Sequence, residues 1–282
     1  MSENLGFTGN AEALSVGNVV SAGVRLYRSH LKEYFLLALR AYCWVLVPIY
    51  GWAKFYALSA LIGRLAFGDL VNQPESIRSG ENFVNARLWK FLGTMLLMSL
   101  IGGGIGIGFA IVLGIILAVA GAALGVQNGG FGNAAIFSLI AFLVVIVGIF
   151  IFAWVLTRFY LVDLPLAIEE DCDATGTIKR SVELTKGYVG RIFLISFVAI
   201  LITLPIQILL QIVTSVVQLI FTPLLQDGNA FLSLVFFVLV FGMAFASNAV
   251  ILPFLQTVKA VIYYDLRTRR EGFGLQLRDR EV

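Results

Sequence analysis

The chain has 282 residues, of which 59% are hydrophobic and 13% charged, with a formal net charge of +3 and a mean hydropathy of +0.92. Soluble domains carry about a quarter charged residues, so the composition excludes a water-soluble globule and implies an integral α-helical membrane protein. A single histidine, His30, and two cysteines, Cys43 and Cys172, largely exclude His-based metal sites and catalytic triads; no cofactor is expected.

Residues 1–14 are polar and read as a flexible N-terminus without the charged, apolar, then small pattern of a cleavable signal. Residues 15–30 form a basic lead-in helix. Val16, Val20, Val24 and Tyr27 make one stripe, and Arg25, Arg28 and Lys32 make the other face. The apolar segment 31–67 is interrupted by VPIYG at 47–51 and by Arg40 and Lys54. It crosses once or returns as a shallow hairpin near Pro48–Gly51, and a proline followed by a glycine suits the turn. A faint second lead-in at 76–92 keeps Ile77, Val84 and Leu88 on its stripe.

Long apolar runs follow at 88–124, 134–168, 188–224 and 230–266. Each would be roughly 55 Å long as a helix, against about 30 Å of hydrocarbon. Kinks are expected at Pro165, Pro205 and Pro253, and a flexible point at Gly102–Gly108. Between the middle runs lies the lead-in 177–191, with Ile178, Val182, Thr185 and Val189 on one face and Lys179, Glu183 and Lys186 on another. A shift of 158 positions aligns Val24 with Val182 and Phe35 with Phe193. The pattern reads as one module, lead-in plus apolar hairpin, used three times.

Charge orients the segments. Lys and Arg cluster in 64–90, 177–191 and the tail, whereas the connections 125–133 and 225–229 have none. Basic loops stay on the cytoplasmic side, which places both termini and all three lead-ins there. The organisation is one membrane domain, 15–270, with a cytoplasmic tail, 271–282. Tyr263 and Tyr264, followed by Arg267, Arg269 and Arg270, suit an anchor at the lipid headgroups.

Several signals could carry function. Gly102/Gly106 and Gly104/Gly108 are GxxxG spacings that suit close helix packing within the chain or a homodimer face. Gln207, Gln211, Thr214 and Gln218 share one face of a span, and Asn248 could meet them from the last helix. They either bond neighbouring helices or line a polar crevice for a solute or lipid headgroup. The DCDATG run at 171–176 imitates the start of a calcium loop, but position twelve is Val182 rather than Glu; a helix N-cap fits it better. The acidic neighbours of Cys172 oppose its thiolate. Asp163 and Asp265 fall near helix C-termini, where the dipole disfavours an anion. At least one should therefore accept from a lead-in cation, drawn from Arg25, Arg28, Arg87, Lys90, Arg180 and Arg191.

The stretches YYDLRTRREGFGLQL, RSVELTKGYVGRIF and RLAFGDLVNQPESI, with WVLVPIYGWAKFYA at 44–57, resemble a bacterial, cyanobacterial-like family of polytopic proteins known as the membrane domain of glycerophosphodiester phosphodiesterases. The resemblance implies a membrane location and this helical fold over nearly the whole chain. The lipid-ester hydrolysis in that name belongs to a separate soluble barrel, so no catalytic residue is implied here. The fold expected is an all-α polytopic transmembrane bundle of three helical hairpins, each preceded by a cytoplasmic amphipathic helix, in a bacterial plasma or thylakoid membrane. The function expected is a non-enzymatic membrane scaffold or assembly protein; the alternative is a transporter or lipid-handling protein using the Gln stripe. Expected partners are membrane lipids, a second copy or other membrane proteins, and not nucleic acid.

Overall fold

A computed structural model describes residues 15–126, 130–225 and 230–271. Residues 1–14, the tips of both long connections and the tail beyond Glu271 lie outside the described residues, and with them the expected flexible N-terminus and cytoplasmic tail. The described residues are helical apart from turns and short loops, with no strand among them. Their order is α1 (Val16–Ser29), α2 (Leu31–Trp44), α3 (Tyr50–Leu70), α4 (Ile77–Asn85), α5 (Leu88–Ala123), α6 (Phe131–Leu156), a 3₁₀ turn (Thr157–Phe159), α7 (Asp163–Ile168), α8 (Ala174–Thr185), α9 (Val189–Leu225) and α10 (Ala230–Glu271). The protein is an all-α helical bundle. Three hairpins, α2–α3, α5–α6 and α9–α10, are each preceded by a short helix, α1, α4 or α8.

Local chemistry sets the helix ends. Ser15, Ser76 and Asp173 cap α1, α4 and α8 by accepting from the N–H groups of Asn18, Ser79 and Gly176, the usual answer to unpaired donors in a first turn. The DCDATG run is thus a cap, not a calcium loop. At the end of α3, Gln73 N–H donates to Gly68 C=O at 2.9 Å and Asn72 N–H to Asp69 C=O. Asn72 turns left-handed at φ 55°, which completes a Schellman closure. The α5 terminus repeats it, with Val126 bonded to Gly121 and Gly125 at φ 58°.

Four helices, α5, α6, α9 and α10, are long and apolar enough to cross a membrane. The most apolar stretches of α5 and α10 have no buried residue, so their side chains face outward. Leu100, Ile107 and Val119 on α5 and Phe231, Leu234 and Val238 on α10 are all exposed. That distribution suits helices solvated by lipid tails. Neither limb of the α2–α3 hairpin is among the four.

The core sits at one end, called the head below. Here α3 is central, with fourteen of its 21 residues buried. Around it pack α1, α2, α4, α7, α8, the starts of α5 and α9, and the last half of α10. Gly23 of α1 faces Val258 of α10 so closely that a Cβ would meet its Cγ2 at 2.6 Å, and Thr257 Oγ1 donates to Gly23 C=O at 3.0 Å. The two membrane hairpins leave the head side by side. Phe150 and Trp154 of α6 meet Phe193 of α9 close to it.

Several expectations are corrected. The run 134–168 is not one helix kinked at Pro165: α6 stops at Leu156, and Pro165 lies in the first turn of α7, where its missing N–H costs nothing. The lead-in 177–191 is likewise broken. A type II turn, with Gly187 at φ 83° and Tyr188 N–H donating to Thr185 C=O, separates α8 from α9. The buried side of α8 carries Thr177, Ser181, Leu184 and Thr185 rather than Ile178 and Val182. The reason is hydrogen bonding. The break after α6 leaves carbonyls without helical partners; Thr177 donates to Val162 C=O, and Ser181 and Thr185 to Arg158 C=O. The hydroxyls sit inside because those buried acceptors need donors. Gly102, Gly103, Gly104 and Gly108 have nothing within 4 Å of a built Cβ, and of the GxxxG run only Gly106 faces the chain, with Phe152 of α6 at 3.9 Å. The tight approach in that hairpin is Gly148 on α6 against Phe109 and Leu113.

Candidate functional site

The head is held by a seam of charges organised around α7, a short helix whose first five residues, Asp163 to Ala167, are all buried. Asp163 stands in the first turn of α7, not at a helix C-terminus, so the dipole favours its negative charge. Its carboxylate accepts from Gln256 Nε2 at 2.9 Å and from Lys259 Nζ at 3.0 and 3.2 Å. The Asp163 side chain is 3% exposed. Lys259 also lies 5.1 Å from the centre of the Tyr160 ring, a face that attracts cations. The oxygen of the Gln256 amide, Oε1, is buried without a partner among the described residues.

Two arginines fasten the other end of α7. Arg87 donates to the carbonyls of Leu166, Glu169 and Glu170, and Arg64 to that of Ala167 at 2.7 Å. Both guanidinium groups lie on the Phe83 ring, at 3.8 and 3.9 Å. One aromatic ring thus receives two like charges whose acceptors are neighbouring carbonyls at the end of α7. Arg64 also grips Glu75 at 2.6 Å, and Lys90 reaches the Cys172 carbonyl. Burial raises the Glu75 carboxyl, but hydrogen bonds from Arg64 and Ser79 outweigh it and hold the group below the usual carboxylate range. Burial and the neighbouring Glu169 and Asp173 raise the Cys172 thiol.

A second patch ties α8 and α9 to the end of α10. Arg180 pairs with Glu169 at 3.0 Å and with Glu271. Tyr263 donates to Glu169 at 2.6 Å. Arg191 Nη1 lies 3.1 Å from Asp265 Oδ2. Arg269 Nε is 3.0 Å from the same oxygen. A third patch joins α2, α3 and α4: Arg40 makes a two-pronged pair with Glu81, and Lys54 donates to Asn85.

The expected residues are thus distributed as follows. The structure brings Asp265 and Arg191 together. Asp163 takes its cation from α10 instead. Arg87, Lys90 and Arg180 are used on carbonyls and glutamates, and Arg25 and Arg28 lie on the exposed face of α1. Gln207, Gln211 and Gln218 are exposed on the outside of α9, and Thr214 is half-buried. Gln207 bonds Thr203 one turn back. Asn248 bonds Ala244 C=O of its own helix rather than the stripe. Sequence reasoning missed the Asp163–Gln256–Lys259 cluster. Its signal was a Gln and a Lys one turn apart on the inner face of the last helix.

Chemically, the site is a joint. Its cations end on carboxylates or on carbonyls at helix ends, which fixes the entry angles of both membrane hairpins. Among the described residues no group of three or more His, Cys, Asp or Glu comes together as a metal site. No family model, curated protein or solved structure matches the chain.

Proposed function

We propose that this protein is a membrane scaffold: a rigid head that holds two membrane hairpins, with their walls left open to lipid and to other membrane proteins. The observation that carries this reading is the contrast between the two ends. The head is cross-linked by ion pairs, while the apolar walls of α5, α6, α9 and α10 are exposed along most of their length. A wall of that kind is available for packing against a second copy or a partner span, by van der Waals contact where small residues permit. The bare glycine face of α5 is the most accommodating part of it.

The head faces the cytoplasm of a bacterial cell in this reading. Both hairpins begin and end among its arginines and lysines, and the far connections have none. The test is assembly. Full-length protein in lipid nanodiscs should be recovered as a defined oligomer, or with co-purifying membrane proteins, by native mass spectrometry. Gly104→Leu should reduce that assembly while leaving the protein folded. A monodisperse monomer that moves a solute across vesicles, with transport lost in Gln211→Leu, would refute the scaffold reading and establish the transporter.

A further inference from the structure

We propose that the α2–α3 hairpin is a lipid wedge: its tip, residues 44–52, is buried among the acyl chains of the head-side leaflet and turns back without crossing. The tip is apolar and uncovered. Leu46 is 66% exposed and Ile49 58%, and Val47, Tyr50 and Trp52 are also exposed. Residues 41–53 carry no charge. A contiguous apolar surface of this kind on a soluble head would be an aggregation site; against acyl chains it is satisfied.

The neighbouring spans set its depth. The Tyr56 ring of α3 packs on Phe91 of α5 at 5.9 Å, one residue past Lys90, the last charge before the apolar run of α5. Ile49 lies about seven residues further toward the tip, or roughly 10 Å of helix. On the other side the Tyr42 ring packs on Phe245 of α10 at 5.8 Å. The α5 register carries the tip about 10 Å past the last charge of that neighbour. The hydrocarbon of one leaflet is about 15 Å thick, half of the roughly 30 Å core, so the tip enters it and stops inside. The 14 residues of α2 make a rod of about 21 Å, too short to cross.

The backbone of the turn suits a place without water. Val45, Leu46 and Val47 donate their N–H groups to the carbonyls of Tyr42, Cys43 and Trp44, and Tyr50 donates to Pro48 C=O at 2.7 Å. Pro48 has no N–H to satisfy. Ile49 closes this γ-turn at φ 61°, ψ −73°, a strained conformation for a β-branched residue. Gly51 lets the limbs close behind it, since a Cβ there would meet Trp44 O at 1.9 Å. Unpaired polar backbone is costly in hydrocarbon, and four N–H groups of this turn are paired within it. The Arg40–Glu81 pair lies about one turn behind the tip on α2, where a headgroup layer would receive it.

The experiment is depth measurement by spin label on the full chain in phosphatidylcholine–phosphatidylglycerol vesicles. The background is Cys43→Ser, Cys172→Ala, with Val47→Cys as the probe, Ile111→Cys as the mid-span reference and Arg78→Cys as the aqueous reference. The expected result is a ratio of oxygen to nickel-chelate collisions at position 47 several-fold above position 78 and close to position 111. A ratio equal to that at position 78 overturns the wedge, as does shielding from both reagents, which would mean that protein covers the tip. A second measurement leaves both cysteines native: Trp89→Phe, Trp154→Phe retains Trp44 and Trp52 as the only tryptophans. Acyl-brominated lipid should quench their fluorescence, and unchanged emission would count against the proposal.

Discussion

Replacing Lys259 with methionine should open the head while leaving the membrane hairpins intact. Asp163 and Lys259 are 3.0 Å apart, which at an effective dielectric of 20 is a gross attraction of about 5 kcal/mol. Most of that is offset by the cost of removing both ions from water. The net value of the pair is therefore small, but losing one partner is not symmetrical with losing both. In Lys259→Met the carboxylate stays buried with only Gln256 and the α7 N-terminus to hold it, and the expected loss is about 3–5 kcal/mol. Adding Asp163→Asn removes the stranded charge, so the double variant should regain about 2 kcal/mol relative to the sum of the single changes. Cys172 supplies the assay, since its side chain is buried in the head. In a Cys43→Ser background, the temperature at which Cys172 becomes reactive to a maleimide in mild detergent reports opening. That temperature should fall by roughly 10 °C in Lys259→Met, on the scale of 2–4 °C per kcal/mol. A shift of less than about 2 °C, or strictly additive single effects, would refute the claim that this pair locks the head.

Gly23→Ala should detach α1, because its Cβ would collide with both the side chain and the backbone of Val258; a cost of about 1–3 kcal/mol and new protease cleavage within residues 16–29 are expected. Gln211→Leu, on the exposed face of α9, should change thermal stability in lipid by less than about 1 kcal/mol, measured by the same thiol assay. Acid should loosen α4: Glu75 and Glu81 are buried in part, but arginine hydrogen bonds hold both below 4.5. Because the folded values are depressed, their contribution is present above about pH 4.5 and is lost as pH falls through the lower folded values. Hydrogen exchange of residues 77–85 should accelerate in that window, and Glu81→Gln should flatten the dependence.

The repeating plan was legible because it is written in composition. Long uncharged runs, basic lead-ins and cation-free connections mark the hairpins and the end where they meet, and Pro48 with Gly51 marks the return of the first. The joint was less legible because its contacts follow from where the chain breaks. The sequence 157–168 is apolar enough to continue a helix, and its interruption turns Arg158 and Val162 into acceptors that reverse the expected inner face of α8. The same break moves Asp163 from an unfavourable helix end to a favourable one, and so changes its partner. The glutamines of α9 obey helical spacing, but periodicity places residues on a common face without saying whether protein or lipid covers that face.

The docking of α1 on α10 has a consequence for synthesis. Thr257 and Gly23 are 234 residues apart, so α1 cannot find its seat on α10 until the chain as far as residue 257 has followed it. At about 5–20 residues per second the nascent chain carries that surface uncovered for roughly 10–50 s, while both later hairpins are inserted. Val19, Val20 and Leu26, which the finished head covers completely or almost so, are exposed throughout that interval to chaperones, proteases and neighbouring chains. Translation that halts before residue 257 leaves them uncovered by α10.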